Sequence, residues 1–121
     1  MVRKYKNIYL IISPPRCAST ALARMFWHQP SIRYYSHEPF ELTYYENKSI
    51  NEAFNSIENA IDLEKIYKGK GTVNGRDLII KEMSFQVGNN FPELLKIVNT
   101  TPIFLIRDPR DIIVSWYFHL A

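Results

Sequence analysis

The 121-residue chain contains a single cysteine, Cys17, so it can form no internal disulfide, and a lone thiol fits a reducing compartment. It lacks an apolar run long enough for a membrane span or a signal-peptide core. Behind the basic start Met1–Asn7, the run Ile8-Tyr9-Leu10-Ile11-Ile12 stops at Ser13-Pro14-Pro15. There is no dense cationic stripe either. The 15 Lys and Arg against 12 Asp and Glu leave a net charge of +3, which suits an anionic small molecule better than a nucleic-acid surface. Internal repeats, low-complexity tracts and metal-ligand spacings are also missing. Together these absences predict one soluble, cytoplasmic domain without a metal and without a nucleic-acid or membrane partner.

What is present begins at Ile8. Five apolar residues rich in β-branched side chains lead into a proline pair, then into the small and hydroxylated residues Ser19-Thr20-Ala21 that start a helical pattern. This is a strand, a tight loop and a helix start, and such a helix start aims unpaired N–H groups and a positive dipole end at one point. The point is an anion site. Aligned on Thr20, the nucleotide-kinase pattern G-x-x-x-x-G-K-[ST] would need glycines at Ser13 and Ala18 and a lysine at Ser19. None of the three is there, and the positive charge sits earlier, on Arg16. A second strand-to-helix passage follows near the other end, where Ile103-Phe104-Leu105-Ile106 runs into Arg107-Asp108-Pro109-Arg110-Asp111 and then Ser115-Trp116-Tyr117.

The segment Pro15-Arg16-Cys17-Ala18-Ser19-Thr20 resembles the 5′-phosphosulfate loop of sulfotransferases that use 3′-phosphoadenosine 5′-phosphosulfate (PAPS), which runs roughly Pro-[Lys/Arg]-Ser-Gly-[Ser/Thr]-Thr. The segment Arg107 to Tyr117 resembles the 3′-phosphate pattern of the same family, with Arg107 and Ser115 at the phosphate-binding positions and Trp116 in a free slot. A dianionic phosphate calls for such a pair, a guanidinium fork and a hydroxyl on the first turns of a helix. The resemblance covers nearly the whole chain but only the front part of a typical member, so the sequence reads as an N-terminal PAPS-binding portion, residues 1–121, of a sulfotransferase domain that is apparently truncated.

Between the two motifs, helical spacing predicts a helix over about Ser19 to Gln29 with Leu22, Met25 and Phe26 toward the sheet, and a second strand over Ile32 to His37. Glu41 to Lys48 reads as a loop or irregular helix. Ser49 and Glu52 have capping-box spacing, and Ile50, Phe54, Ile57 and Ile61 continue at helical intervals toward Lys65, Lys68 and Gly69, which predicts one amphipathic helix. Gly69-Lys70-Gly71 and Gly75-Arg76-Asp77 read as turns, Leu78 to Lys81 as a third buried strand, and Phe91 to Val98 as a short helix opened by Pro92. Four apolar strands alternating with helices predict an α/β fold: a Rossmann-like, P-loop nucleotide-binding layer with a parallel sheet of about four strands flanked by helices.

The family resemblance implies transfer of a sulfuryl group from PAPS to a hydroxyl or amine. Arg16 would neutralise the leaving oxygen, and the backbone of Cys17, Ala18, Ser19, Thr20 and Ala21 would cradle the 5′-phosphate. Many cytosolic members carry Lys-x-His where this chain has Lys81-Glu82-Met83, and the His serves as general base. With that histidine replaced by Met83, Glu38 of Glu38-Pro39-Phe40 becomes the candidate base, and His37, Lys81 and Glu82 are the other candidate catalytic groups. A nucleophilic Cys17 would need a base partner that the sequence does not supply. Two other readings stand beside an active transferase: a module that binds PAPS or its bisphosphate product without turnover, and a P-loop small-molecule kinase, against which Ser19 at the lysine position and the Arg107/Ser115 pair both speak.

Overall fold

The computed structural model describes residues 4–15, 19–66, 75–106 and 110. Its centre is β1 (Ile8–Ser13), which pairs in parallel with β4 (Asp77–Met83) on one side and β5 (Ile103–Phe104) on the other. Outside β4 lies β2 (Ile32–His37), also parallel, and at the edge β3 (Ile61–Asp62) runs antiparallel to β2. The sheet order is β3-β2-β4-β1-β5. The four expected parallel strands are all present, and the antiparallel edge strand is an addition. Central parallel strands are buried on both faces, which is why β1 and β4 read as apolar runs without alternation.

One face of the sheet carries α1 (Ser19–Trp27), packed through Ala23 and Trp27 onto Ile11, Ile32, Tyr35 and Ile79. Its buried stripe is Ser19, Ala23 and Trp27. Of the expected stripe, Leu22 and Phe26 pack half-buried against this same cluster, whereas Met25 is 68% exposed, because small Ala23 lets the helix approach the sheet while Trp27 sets its ring 4.7 Å from that of Tyr35. The helix also ends two residues before Gln29. The other face holds Leu10, Ile12, Leu78 and Ile80 beneath Phe40, Ala53, Ile57 and Leu94. Each such aliphatic side chain taken fully out of water contributes roughly 1.5–3 kcal/mol.

That second face is roofed by α2 (Glu41–Glu46), α3 (Ile50–Glu58), a short α5 (Ser84–Val87) followed by a 3₁₀ turn, and α6 (Phe91–Leu95). The single helix expected from Ser49 to Gly69 is broken. After Glu58 the chain forms β3 and then a one-turn α4 (Leu63–Ile66). The buried Tyr5 hydroxyl donates to the carbonyls of Ile57 and Glu58, and the Asn59 side-chain amide donates to the Asn55 carbonyl, so the last turn of α3 is closed off. Asp62 then accepts from the Arg33 guanidinium across the β2–β3 edge. Ile61 consequently stands 45% exposed instead of joining the helix's buried face. Ser49 precedes α3 in an extended conformation, but its side chain makes no capping bond; its carbonyl accepts from Glu52. Asp77, expected in a turn, opens β4 and accepts the Asn7 N–H at 3.0 Å.

Candidate active site

Because β1, β2, β4 and β5 are parallel, their C-terminal ends share one edge of the sheet, where ligands of open α/β sheets bind. On that edge β2 and β4 are neighbours, and their register pairs His37 with Lys81. Glu38 continues the pairing by donating its N–H to the Lys81 carbonyl at 2.7 Å, then turns out of the strand with φ +47. A residue with a Cβ costs about 1–2 kcal/mol in this left-handed region. Here the turn carries the chain straight into α2, since the Glu38 carbonyl accepts from Glu41 and the Phe40 carbonyl from Tyr44. It also folds the Glu38 side chain back over the sheet, where the residue is only 8% exposed. Strain of this kind concentrates at functional sites.

Two cationic or polar partners meet Glu38 Oε2. Lys81 Nζ lies 2.5 Å away and His37 Nε2 3.0 Å away. Lys81 is 1% exposed, so this is a buried ion pair on the α1 face of the sheet. Burial pushes the Glu38 carboxyl up, but the hydrogen bonds from His37 and Lys81 and the Lys81 charge outweigh it and hold the group at about 2. Glu38 is thus fully ionised at neutral pH and a poor base while Lys81 stays in place. Behind His37, its Nδ1 meets the Tyr35 hydroxyl at 2.5 Å. Glu41, exposed at the start of α2, has its carboxyl pushed up by partial burial and by the neighbouring Glu38 carboxylate.

Glu82 lies apart from this cluster. Alternation along β4 turns it to the opposite face, where it is 0% exposed. Its Oε1 accepts the Phe40 N–H and its Oε2 the Met83 N–H, both at 2.7 Å. Burial dominates and pushes this carboxyl up to about 8. What it does in this geometry is clamp the start of α2 to the end of β4.

At the β1 end, Ser13 leads through Pro14 and Pro15 toward α1, whose first residues are the buried Ser19, half-buried Thr20 and exposed Ala21. Among the described residues the buried Ser13 hydroxyl has no hydrogen-bond partner. Arg16, Cys17 and Ala18 lie outside the described residues, as do Arg107, Ser115, Trp116 and Tyr117, so the two phosphate motifs enter only through their flanks. Those flanks are adjacent: β5 pairs with β1 and points its C-terminal end the same way. Arg110, in the second motif, is helical and exposed. An open, mostly apolar cavity of about 280 Å³ lies beside these strand ends, lined by Ile12, Pro14, Val87, Phe91 and Phe104.

The sulfotransferase domain family matches residues 6–121. The chain belongs to the sulfotransferase family. No curated protein and no solved structure matches it. Membership makes the protein a transferase enzyme with the family's P-loop, Rossmann-like fold. Among the described residues no helix is long and apolar enough to cross a membrane, and no three His, Cys, Asp or Glu side chains cluster as a metal site.

In this sulfotransferase the structure brings together Glu38, His37 and Lys81 and leaves Glu82 on the other face. Sequence reasoning missed Tyr35 and Glu41 as members of the group. The signal for Tyr35 was available, since residues two apart in a strand share a face and put Tyr35 beside His37. Glu41 carried no comparable signal, because its approach to Glu38 depends on the left-handed turn at Glu38 itself.

Proposed function

We propose that this protein transfers a sulfuryl group from PAPS to a hydroxyl or amine acceptor, with residues 1–121 forming the donor-binding part of the domain and Glu38 serving as general base. The observation that carries this reading is the buried Lys81–Glu38 pair standing at the strand edge beside the β1–α1 passage. A base and a cation held in contact next to an anion-binding helix start are what an in-line transfer from an anionic donor requires. Ser19, Thr20 and Ala21, with Cys17 and Ala18 before them, would hold the 5′-phosphate through main-chain N–H groups. Arg16 would offset charge on the leaving oxygen, and Arg107 with Ser115 would hold the 3′-phosphate. A cytoplasmic setting accords with the single cysteine.

The test is a calorimetric titration with 3′-phosphoadenosine 5′-phosphate, run beside 5′-ADP and on Arg107→Ala, followed by turnover assays of the parent chain and Glu38→Gln. The reading predicts binding that needs both the 3′-phosphate and Arg107, and a rate that falls on the order of 100- to 10,000-fold in Glu38→Gln with nucleotide binding unchanged. Equal affinity for the two nucleotides in a folded chain would overturn the donor assignment. Binding without turnover would instead identify a nucleotide-binding module.

A further inference from the structure

Glu38 is gripped from two sides that differ in kind. Lys81 reaches it from the adjacent strand on a long, flexible stem whose compact ammonium can turn to another anion. His37 reaches it from the end of its own strand, half-exposed itself but backed by the buried Tyr35. The Tyr35 ring is 5% exposed and meets Trp27 edge-on at 4.7 Å, so the hydroxyl position is set by packing against α1. Burial and the Glu38 charge raise the Tyr35 phenol well above its ordinary range, so it keeps its proton. His37 Nδ1 is the hydrogen-bond partner of that hydroxyl among the described residues; because Nε2 of the same ring faces the Glu38 carboxylate, the neutral imidazole leaves Nδ1 bare, and Nδ1 accepts from Tyr35. The ring proton is then on Nε2, which donates to Glu38 Oε2 at 3.0 Å. The opposite tautomer would set a bare nitrogen lone pair against a carboxylate.

We propose that Tyr35 is a positioning residue: through His37 it keeps the Glu38 carboxylate in place while Lys81 turns from Glu38 to the anionic donor. The proposal rests on the transfer reading above. It resolves a conflict inside that reading, because Glu38 cannot work well as a base while the Lys81 ammonium is on it. Once Lys81 leaves, Oε2 keeps the His37 bond, and the carboxylate, with the Glu41 carboxyl in hydrogen-bond reach beside it, takes the acceptor's proton on its other oxygen. The acceptor O–H bond breaks as its oxygen forms the new O–S bond. The S–O bond to the bridging phosphate oxygen breaks with its electron pair on that oxygen, facing Lys81, and the proton on Glu38 passes to water. The charged and titratable groups around Tyr35, His37 and Glu38 are Arg24 from α1, Lys81 and Glu82 from β4, and Glu41 from α2. Among these, Lys81 is the cation in contact with Glu38.

Tyr35→Phe removes the hydroxyl and leaves the ring on Trp27. In the ¹⁵N spectrum of the chain, His37 should show one tautomer with its proton on Nε2, and Tyr35→Phe should mix the two tautomers. On adding PAPS to the parent chain, the Lys81 Nζ resonance should move while the His37 Nε2 resonance stays. In turnover, Tyr35→Phe should lower kcat about 10- to 100-fold with the KM for PAPS unchanged and the acidic limb of the pH profile displaced. A His37 proton on Nδ1 in the parent chain, or a Tyr35→Phe variant with unchanged tautomer and unchanged pH profile, overturns the proposal. So does a Lys81 resonance that stays put when PAPS is bound. Failure of PAPS to bind at all overturns the transfer reading instead, and the two failures are distinguishable because the tautomer is read without nucleotide.

Discussion

Glu38 and Glu82 are buried carboxyls at the ends of neighbouring strands, yet their surroundings drive them in opposite directions. On the α1 face, Glu38 shares its Oε2 with an ammonium and an imidazole and is held at about 2. On the α2 face, Glu82 accepts hydrogen bonds from two main-chain N–H groups and, among the described residues, from no side chain, and burial lifts it to about 8. Hydrogen bonds alone do not offset the loss of hydration at a fully enclosed carboxylate, whereas a cation in contact does. The α1 face is therefore a charged, exchangeable arrangement suited to chemistry, and the α2 face is a structural clamp. Lys81 and Glu82 are consecutive in sequence, and strand alternation alone separates the two roles.

The comparison breaks most severely if the cation is removed. Lys81→Met leaves Glu38 buried without its ammonium and should destabilise the fold by about 3–5 kcal/mol at neutral pH in urea unfolding. The double variant Lys81→Met/Glu38→Gln should recover most of that loss. A single variant as stable as the parent would show that the pair is not buried in solution.

A smaller effect comes from the other face. Glu82→Gln should cost about 1–2 kcal/mol at pH 5, where one main-chain N–H loses its acceptor to the amide. The sign of its pH dependence follows from the raised value of Glu82. The folded state holds a proton between the ordinary 4.5 and about 8 while the unfolded chain has lost it, so the parent loses stability as pH rises through this window. Glu38 behaves oppositely: its value is depressed, so its contribution is present above 4.5 and is lost as pH falls toward about 2. Glu82→Gln should accordingly gain on the parent as pH rises from 5 to 8. A constant gap across that range would remove Glu82 as the source.

Much of this architecture was legible in the residues. The runs at Ile8 and Leu78 declared buried strands because both their faces are apolar, and the Ser-Pro-Pro passage declared the loop before α1; the run at Ile103 declared a strand that is neither as long nor as buried as expected, since only Ile103–Phe104 pair and Phe104 is exposed. The edge strand β3 was hidden by its two-residue length and by Ile61, which keeps helical spacing although the chain has already left α3. That break is made by contacts distant in sequence, Tyr5 on the end of α3 and Arg33 on Asp62. The site divides the same way. Glu38, His37 and Lys81 could be placed at strand ends, but their contact needs β2 beside β4, and hydrophobic periodicity carries no strand order. The positive φ of Glu38 has no sequence signal, since a glutamate is an unusual choice there.

The measurement that tests this account most directly is a pH titration of the glutamate side-chain carboxyls by ¹³C NMR, with Glu38→Gln and Glu82→Gln used to assign the two resonances. The account predicts that the Glu38 carboxyl titrates near 2 in the free chain and the Glu82 carboxyl near 8. Two ordinary titrations near 4.5 would contradict it, removing both the buried Lys81–Glu38 pair and the division between the charged face and the clamp.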